Sequence, residues 1–83
     1  MRSLKIFVAA FEERSFTLAA QRTGATQSGV SQHIRNIEER YGVKLFRRER
    51  GRVIPTPAAD AFYRHALDAL RAKDTAFLRL AQY

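Results

Sequence analysis

Cysteine and tryptophan are absent from the 83 residues, and methionine occurs once. Without thiols, disulfides, thiolate metal sites and cysteine nucleophiles are excluded together. Histidine is nearly as scarce: His33 and His65 are too few and too far apart to form a metal site, so neither a metal nor a cofactor is expected. No apolar run approaches the ~18 residues that a membrane span requires. The first residues, MRSLKIFVAAFEERSF, carry acids where a signal peptide would place its small-residue cleavage site. A cytoplasmic protein with no membrane contact is therefore expected. A chain this short forms one domain at most and buries only about 60% of its unfolded surface, so its core is small and a partner subunit would help it.

Acid is also in short supply. Eight Asp and Glu face fifteen Lys and Arg, a formal charge of +7, and most of the bases are arginine, the side chain suited to bidentate phosphate and guanine contacts. Charge of this size can serve solubility alone. Its distribution argues otherwise, because Arg40, Lys44, Arg47, Arg48, Arg50 and Arg52 crowd together with only Glu49 among them. Such a cluster is the footprint of an acidic polymer.

The stretch Ser15 to Tyr41, SFTLAAQRTGATQSGVSQHIRNIEERY, reads as two helices joined by a short turn. Before it, Leu4, Phe7, Val8 and Phe11 recur at i, i+3, i+4 and i+7 and predict an amphipathic helix over Ser3 to Glu13 with one buried side. Ser15 suits the N-cap of a second helix, Phe16 to Thr23, whose Ala19 and Ala20 let a neighbouring helix approach closely. Gly24 can turn the chain in the left-handed conformation, and Thr26 can cap a third helix running to Tyr41, with Gly42 beyond its end. A small residue, a turn glycine and then Val30 at these separations form a helix-turn-helix pattern. Val30, Ile34, Ile37 and Tyr41 line the third helix's apolar side, while Ser28, Gln32, Arg35 and Glu39 fall opposite. Helix 27–41 thus has the form of a recognition helix, and double-stranded DNA is the expected partner.

Leu45–Phe46 and Val53–Ile54 flank a turn centred on Glu49 to Gly51, which predicts a two-stranded hairpin, a basic wing over 45–54. Pro55 fits the end of an edge strand. Thr56 and Pro57 form an N-cap and N1 pair, and no glycine or proline follows, so one helix is expected over 58–83. At about 26 residues it would be roughly 39 Å long, more than so small a body needs. Phe62, Ala66, Leu70, Phe77 and Leu80 repeat along it at near-heptad spacing and are the candidate dimer interface, with the part from Leu70 onward expected to meet the partner. The alternative is that this face folds back on the first helix. The fold class predicted is mainly α: a winged helix-turn-helix over 1–57, a three-helix core with a two-stranded β wing, followed by a long C-terminal linker helix over 58–83.

Leu4, Phe7 and Val8, then Ser15-Phe16-Thr17 with Ala19-Ala20, Gln27-Ser28 with Val30-Ser31 and Ile34, and finally Glu38, Gly42, Leu45-Phe46, Arg48, Val53 and Thr56 together resemble the N-terminal DNA-binding domain of LysR-type transcriptional regulators. The resemblance covers nearly the whole chain. It implies a bacterial regulator without catalytic activity that binds an interrupted palindrome as a homodimer, its linker helices paired antiparallel. It implies that Gln27, Ser28, Ser31, Gln32 and Arg35 meet the major groove or its phosphates, Ser15 and Thr17 the backbone, and Arg48, Arg50 and Arg52 the minor groove or its rim. Chemistry agrees: Gln27 and Gln32 can pair with adenine, Arg35 with guanine, and Ser31 can serve a phosphate. Each could instead be a solvated surface side chain. The family's effector-binding domain is absent from this chain, so no small molecule is expected to bind it. Four positions depart from the family pattern: Arg14 where glycine is common, Thr23 for leucine, Gly29 for alanine or proline, and Ala59 for glycine. A reading of another class is a winged-helix module that binds a protein without sequence-specific DNA binding.

Overall fold

A computed structural model describes residues 2–82. In chain order it contains α1 (Arg2–Glu13), α2 (Phe16–Thr23), α3 (Gln27–Tyr41), β1 (Phe46–Glu49), β2 (Arg52–Pro55) and α4 (Pro57–Leu80). The expected mainly α architecture is present, and α2 and α3 span the residues predicted for them.

The helix ends follow their capping residues. Ser15 Oγ accepts from the Leu18 amide at 3.1 Å, Thr26 Oγ1 from Gly29 at 3.0 Å, and Thr56 Oγ1 from Ala59 at 3.3 Å. Each bond satisfies one of the amides that a helix start leaves without a partner. Gly24 closes α2 at φ 70°, a left-handed turn that returns the chain toward α3. Thr56 does more than cap, since its hydroxyl also donates to the Lys44 carbonyl at 2.6 Å, fastening the start of α4 to the root of the wing.

One expectation for α1 is corrected. Ile6, Phe7, Val8, Ala9 and Ala10 are all buried, so this helix is covered on several sides instead of one. It packs against α2, α3 and α4. The alanines, silent in an apolar-spacing argument built on large side chains, let α2 approach closely at Ala19 and Ala20, themselves buried. Phe7 is the centre of the core, with ring centroids of Phe62, Phe46 and Phe11 at 4.7, 5.8 and 6.1 Å. Phe16 meets Phe46 edge-on at 5.6 Å, which joins α2 to the wing.

The hairpin pairs Phe46 with Pro55, Arg47 with Ile54, Arg48 with Val53 and Glu49 with Arg52. Alternation places Arg48 on the side of buried Phe46 and Val53, and Arg47, Glu49 and Arg52 on the other. Arg50 and Gly51 form the tip with φ of 51° and 76°, both left-handed, as a two-residue type I′ turn requires.

The α4 stripe is divided between two environments. Ala66 is buried, Phe62 and Leu70 are half-buried against the core, and Tyr63 stacks on Phe11 at 4.1 Å. Phe77, Leu78 and Leu80 remain 62%, 68% and 68% exposed. These last turns run past the body and give the structure a long dimension of 51 Å against 24 and 19 Å for the others.

Candidate nucleic-acid interface

Val30 and Ile34 are buried and Ile37 half-buried, which fixes the rotation of α3 against α1. The opposite side follows from the helical period: Gln27, Ser28, Gln32 and Arg35 are exposed, and Ser31 is half-buried at the edge facing the wing. All five residues expected on the reading surface therefore share one side of α3. Ser28 Oγ lies 3.3 Å from the capping Thr26 Oγ1, so its hydroxyl is tied to the helix start. Gln32 Nε2 donates to Asn36 Oδ1 at 2.8 Å, which leaves the Gln32 carbonyl oxygen free to accept. Asn36 was missing from the sequence-based set because a lone polar residue on a polar face gives no signal.

Ser15 and Thr17 sit at the first turn of α2, Thr17 exposed and Ser15 half-buried as the cap. Between this turn and β1, the Arg48 guanidinium lies 5.0 Å over the Phe16 ring. Arg48 stands mid-strand and leans on α2, because strand alternation turns it toward Phe46. Arg50 at the tip and Arg52 on the outer side of the hairpin are exposed.

Glu38 is the functional residue whose role the sequence concealed. Its carboxylate accepts from the amides of Leu45 at 2.8 Å and Phe46 at 3.4 Å, tying the end of the recognition helix to the wing. Nothing in its spacing announces a partner seven residues on.

Of the candidate dimer residues, Phe62, Ala66 and Leu70 are engaged by the chain's own core, and Ala66 has no surface left to offer. Phe77 and Leu80 are exposed. On the far side of the body, Arg22 bridges Glu12 at 2.6 Å and Glu13 at 3.1 Å, and Glu12 also accepts from the Tyr63 hydroxyl of α4. The Tyr63 hydrogen bond, aided by Arg22, holds the Glu12 carboxyl below its usual range, and the same hydrogen bond raises the Tyr63 phenol. Among the described residues no helix is long and apolar enough to cross a membrane, and no group of three or more His, Cys, Asp or Glu could hold a metal ion.

A polar, solvent-facing third helix set by a tight turn against a second, beside a basic two-stranded hairpin, defines a winged helix-turn-helix. The chain belongs to the bacterial regulatory helix-turn-helix proteins of the lysR family, whose pattern residues 1–60 match. It is 43% identical over 76 residues to the transcriptional regulator BudR of Klebsiella aerogenes, covering 92% of this chain and 53% of BudR. With the regulator BenM of Acinetobacter baylyi it shares 39% over 74 residues, 89% of this chain and 24% of BenM. It thus spans about half the length of the first relative and a quarter of the second. The fold matches the BenM DNA-binding domain in its complex with benA site 1 DNA at a TM-score of 0.90 and 36% identity, covering 98% of this chain and 91% of that one. These relatives are regulators, and this chain is a binding domain, not an enzyme.

Proposed function

We propose that this chain reads double-stranded DNA in a sequence-specific way as the DNA-binding domain of a LysR-type transcriptional regulator. The observation that carries the reading is the division of α3: Val30 and Ile34 buried in the core, Gln27, Ser28, Gln32 and Arg35 presented outward, and the basic wing alongside. A helix held this way fits the major groove. Gln27, Ser28, Ser31, Gln32 and Arg35 are assigned to base edges and nearby phosphates, Ser15 and Thr17 to the backbone beside α2. Arg50 and Arg52 are assigned to the minor groove or its rim, with Arg48 at the wall between wing and α2. DNA-bound crystal structures of the related BenM domain support the DNA-binding reading.

The protein acts as a homodimer on an interrupted palindrome, in the cytoplasm where such DNA lies. Residues 1–57 form the reading unit and 58–83 the linker helix. Support for the dimer comes from Phe77, Leu78 and Leu80, apolar and exposed on turns of α4 that extend past the core. Selection from a random duplex pool tests the whole proposal. It should return two half-sites in inverted orientation at a fixed separation. Absence of duplex binding at about 50 mM salt, where the phosphate attraction is strong, would refute it and leave a protein-binding winged helix as the alternative.

A further inference from the structure

Between α3 and the wing lies a cleft of about 510 Å³ whose walls include Phe16, Ser31, Arg35, Glu38, Lys44 and Arg48. Three of these six are cations and one is an acid. Glu38 keeps its negative charge while one of its oxygens accepts from the Leu45 and Phe46 amides, and three cations against this one acid leave the lining net positive. Arg48 is held on one wall by the Phe16 ring. Lys44 is exposed, and among the described residues it makes no ion pair. Its main chain is nevertheless fixed, since its carbonyl accepts from buried Thr56 at 2.6 Å and the next amide donates to Glu38. An exposed ammonium on a pinned backbone, lining a cleft with a half-buried serine and two guanidinium groups, suits a compact monoanionic oxygen group and not a planar base edge.

We infer that Lys44 is a DNA-contact residue that takes one backbone phosphodiester into this cleft, opposite Arg48. The inference rests on the DNA-binding reading above. It gives the short connection between α3 and the wing a direct part in binding. A phosphate lodged there would be touched from the recognition helix by Ser31, from the connection by Lys44 and from the wing by Arg48. Phosphate contacts fix register without reading sequence, so Lys44 would contribute equally on every duplex.

The experiment measures affinity against salt for the wild type, Lys44→Gln, Lys44→Arg and, as a control on the α1–α4 side of the body, Lys5→Gln. Each neutralised phosphate contributes about 0.9 to the slope, so Lys44→Gln should lower it by about one on specific and random duplexes alike. Between 50 and 200 mM salt that variant should lose about 3.5-fold less affinity than the wild type. Lys44→Arg should keep the wild-type slope, and so should Lys5→Gln. On the selected site, one neutral methylphosphonate substitution should weaken the wild type more than Lys44→Gln, which keeps only the Ser31 and Arg48 contacts to that phosphate. A Lys44→Gln slope equal to the wild type's would overturn the inference while leaving DNA binding intact, as would equal losses in Lys44→Gln and Lys44→Arg. A wild type with no salt-dependent duplex binding would overturn both.

Discussion

Gly29, at the third position of the recognition helix, should be isolated there by its own helix cap, and Gly29→Ala tests this. In an exposed helix the change would stabilise by about 0.5–1 kcal/mol, because alanine has less chain entropy to lose. Here a Cβ on residue 29 would stand 3.0 Å from Thr26 Oγ1. That oxygen accepts from the Gly29 amide at 3.0 Å and lies 3.3 Å from Ser28 Oγ, so it cannot retreat freely. Moving it a few tenths of an ångström stretches the cap bond to the edge of hydrogen-bond range. An N-cap bond of this kind contributes about 1 kcal/mol. The two effects are of similar size and opposite sign, so Gly29→Ala should change stability by less than about 0.5 kcal/mol.

A double-mutant cycle with Thr26 separates the two effects. Thr26→Ala removes the oxygen that the new methyl would meet, at a cost of about 1 kcal/mol for the lost cap. In that background Gly29→Ala should show its full helix-propensity gain of about 0.5–1 kcal/mol. The expected coupling is therefore about 0.5 kcal/mol or more. Urea unfolding of the four proteins, compared at constant m-value, measures it. An equal gain from Gly29→Ala in both backgrounds would show that the cap does not determine the residue.

Arg14, at φ 51° behind α1, holds a conformation unfavourable to a side chain, so Arg14→Gly should raise stability by about 0.5–1 kcal/mol in thermal unfolding, net of the extra freedom it gives the unfolded chain. Arg35→Ala should cost about 1–3 kcal/mol on the selected site and little on random DNA in titrations at fixed salt; equal losses would reduce it to a phosphate contact. Arg50→Asn should relax the tip turn, where asparagine tolerates positive φ better, and yet lower the salt slope of binding by about one. Tyr63→Phe removes the main cause of the lowered Glu12 pKa, so the wild type's advantage, about 0.5 kcal/mol for so exposed a bond, should be present from above the ordinary carboxylate range to below the ordinary tyrosine range. It should vanish as acid protonates Glu12 and again as alkali ionises the phenol, which unfolding across pH would show.

The local grammar of the chain was legible because each signal acts within a few residues. Ser15, Thr26 and Thr56 cap the helices they precede, and Gly24 and Gly42 turn the chain at positive φ after the helices they follow. Val30 and Ile34 set which side of α3 faces solvent. Long-range pairings left no such trace. Glu38 serves amides at Leu45 and Phe46, and Ser3 Oγ meets His33 Nδ1 at 3.0 Å across 30 residues of sequence. Each of these residues is an ordinary polar member of its own helix, and only the tertiary fold gives it a partner.

The α4 stripe shows why periodicity alone could not say what covers it. Phe62, Ala66, Leu70, Phe77 and Leu80 share one face of the helix, and a shared face does not state where the body beneath it ends. In three dimensions the body ends after Leu70: Phe62 sits 4.7 Å from Phe7 and Ala66 is buried, whereas Phe77 and Leu80 are mostly exposed. Both alternatives raised by the sequence therefore draw on the same stripe, folding back over its first half and leaving a second half for a partner. Because Tyr63 stacks on Phe11 and bonds to Glu12, the direction of the free half is set by α1. Since α1 also carries α3 on its other flank, the helix proposed to join two subunits and the helix proposed to read DNA are oriented by the same central element. In a dimer built through Phe77 and Leu80, the separation of the two half-sites would follow from packing around Phe7 and Phe11.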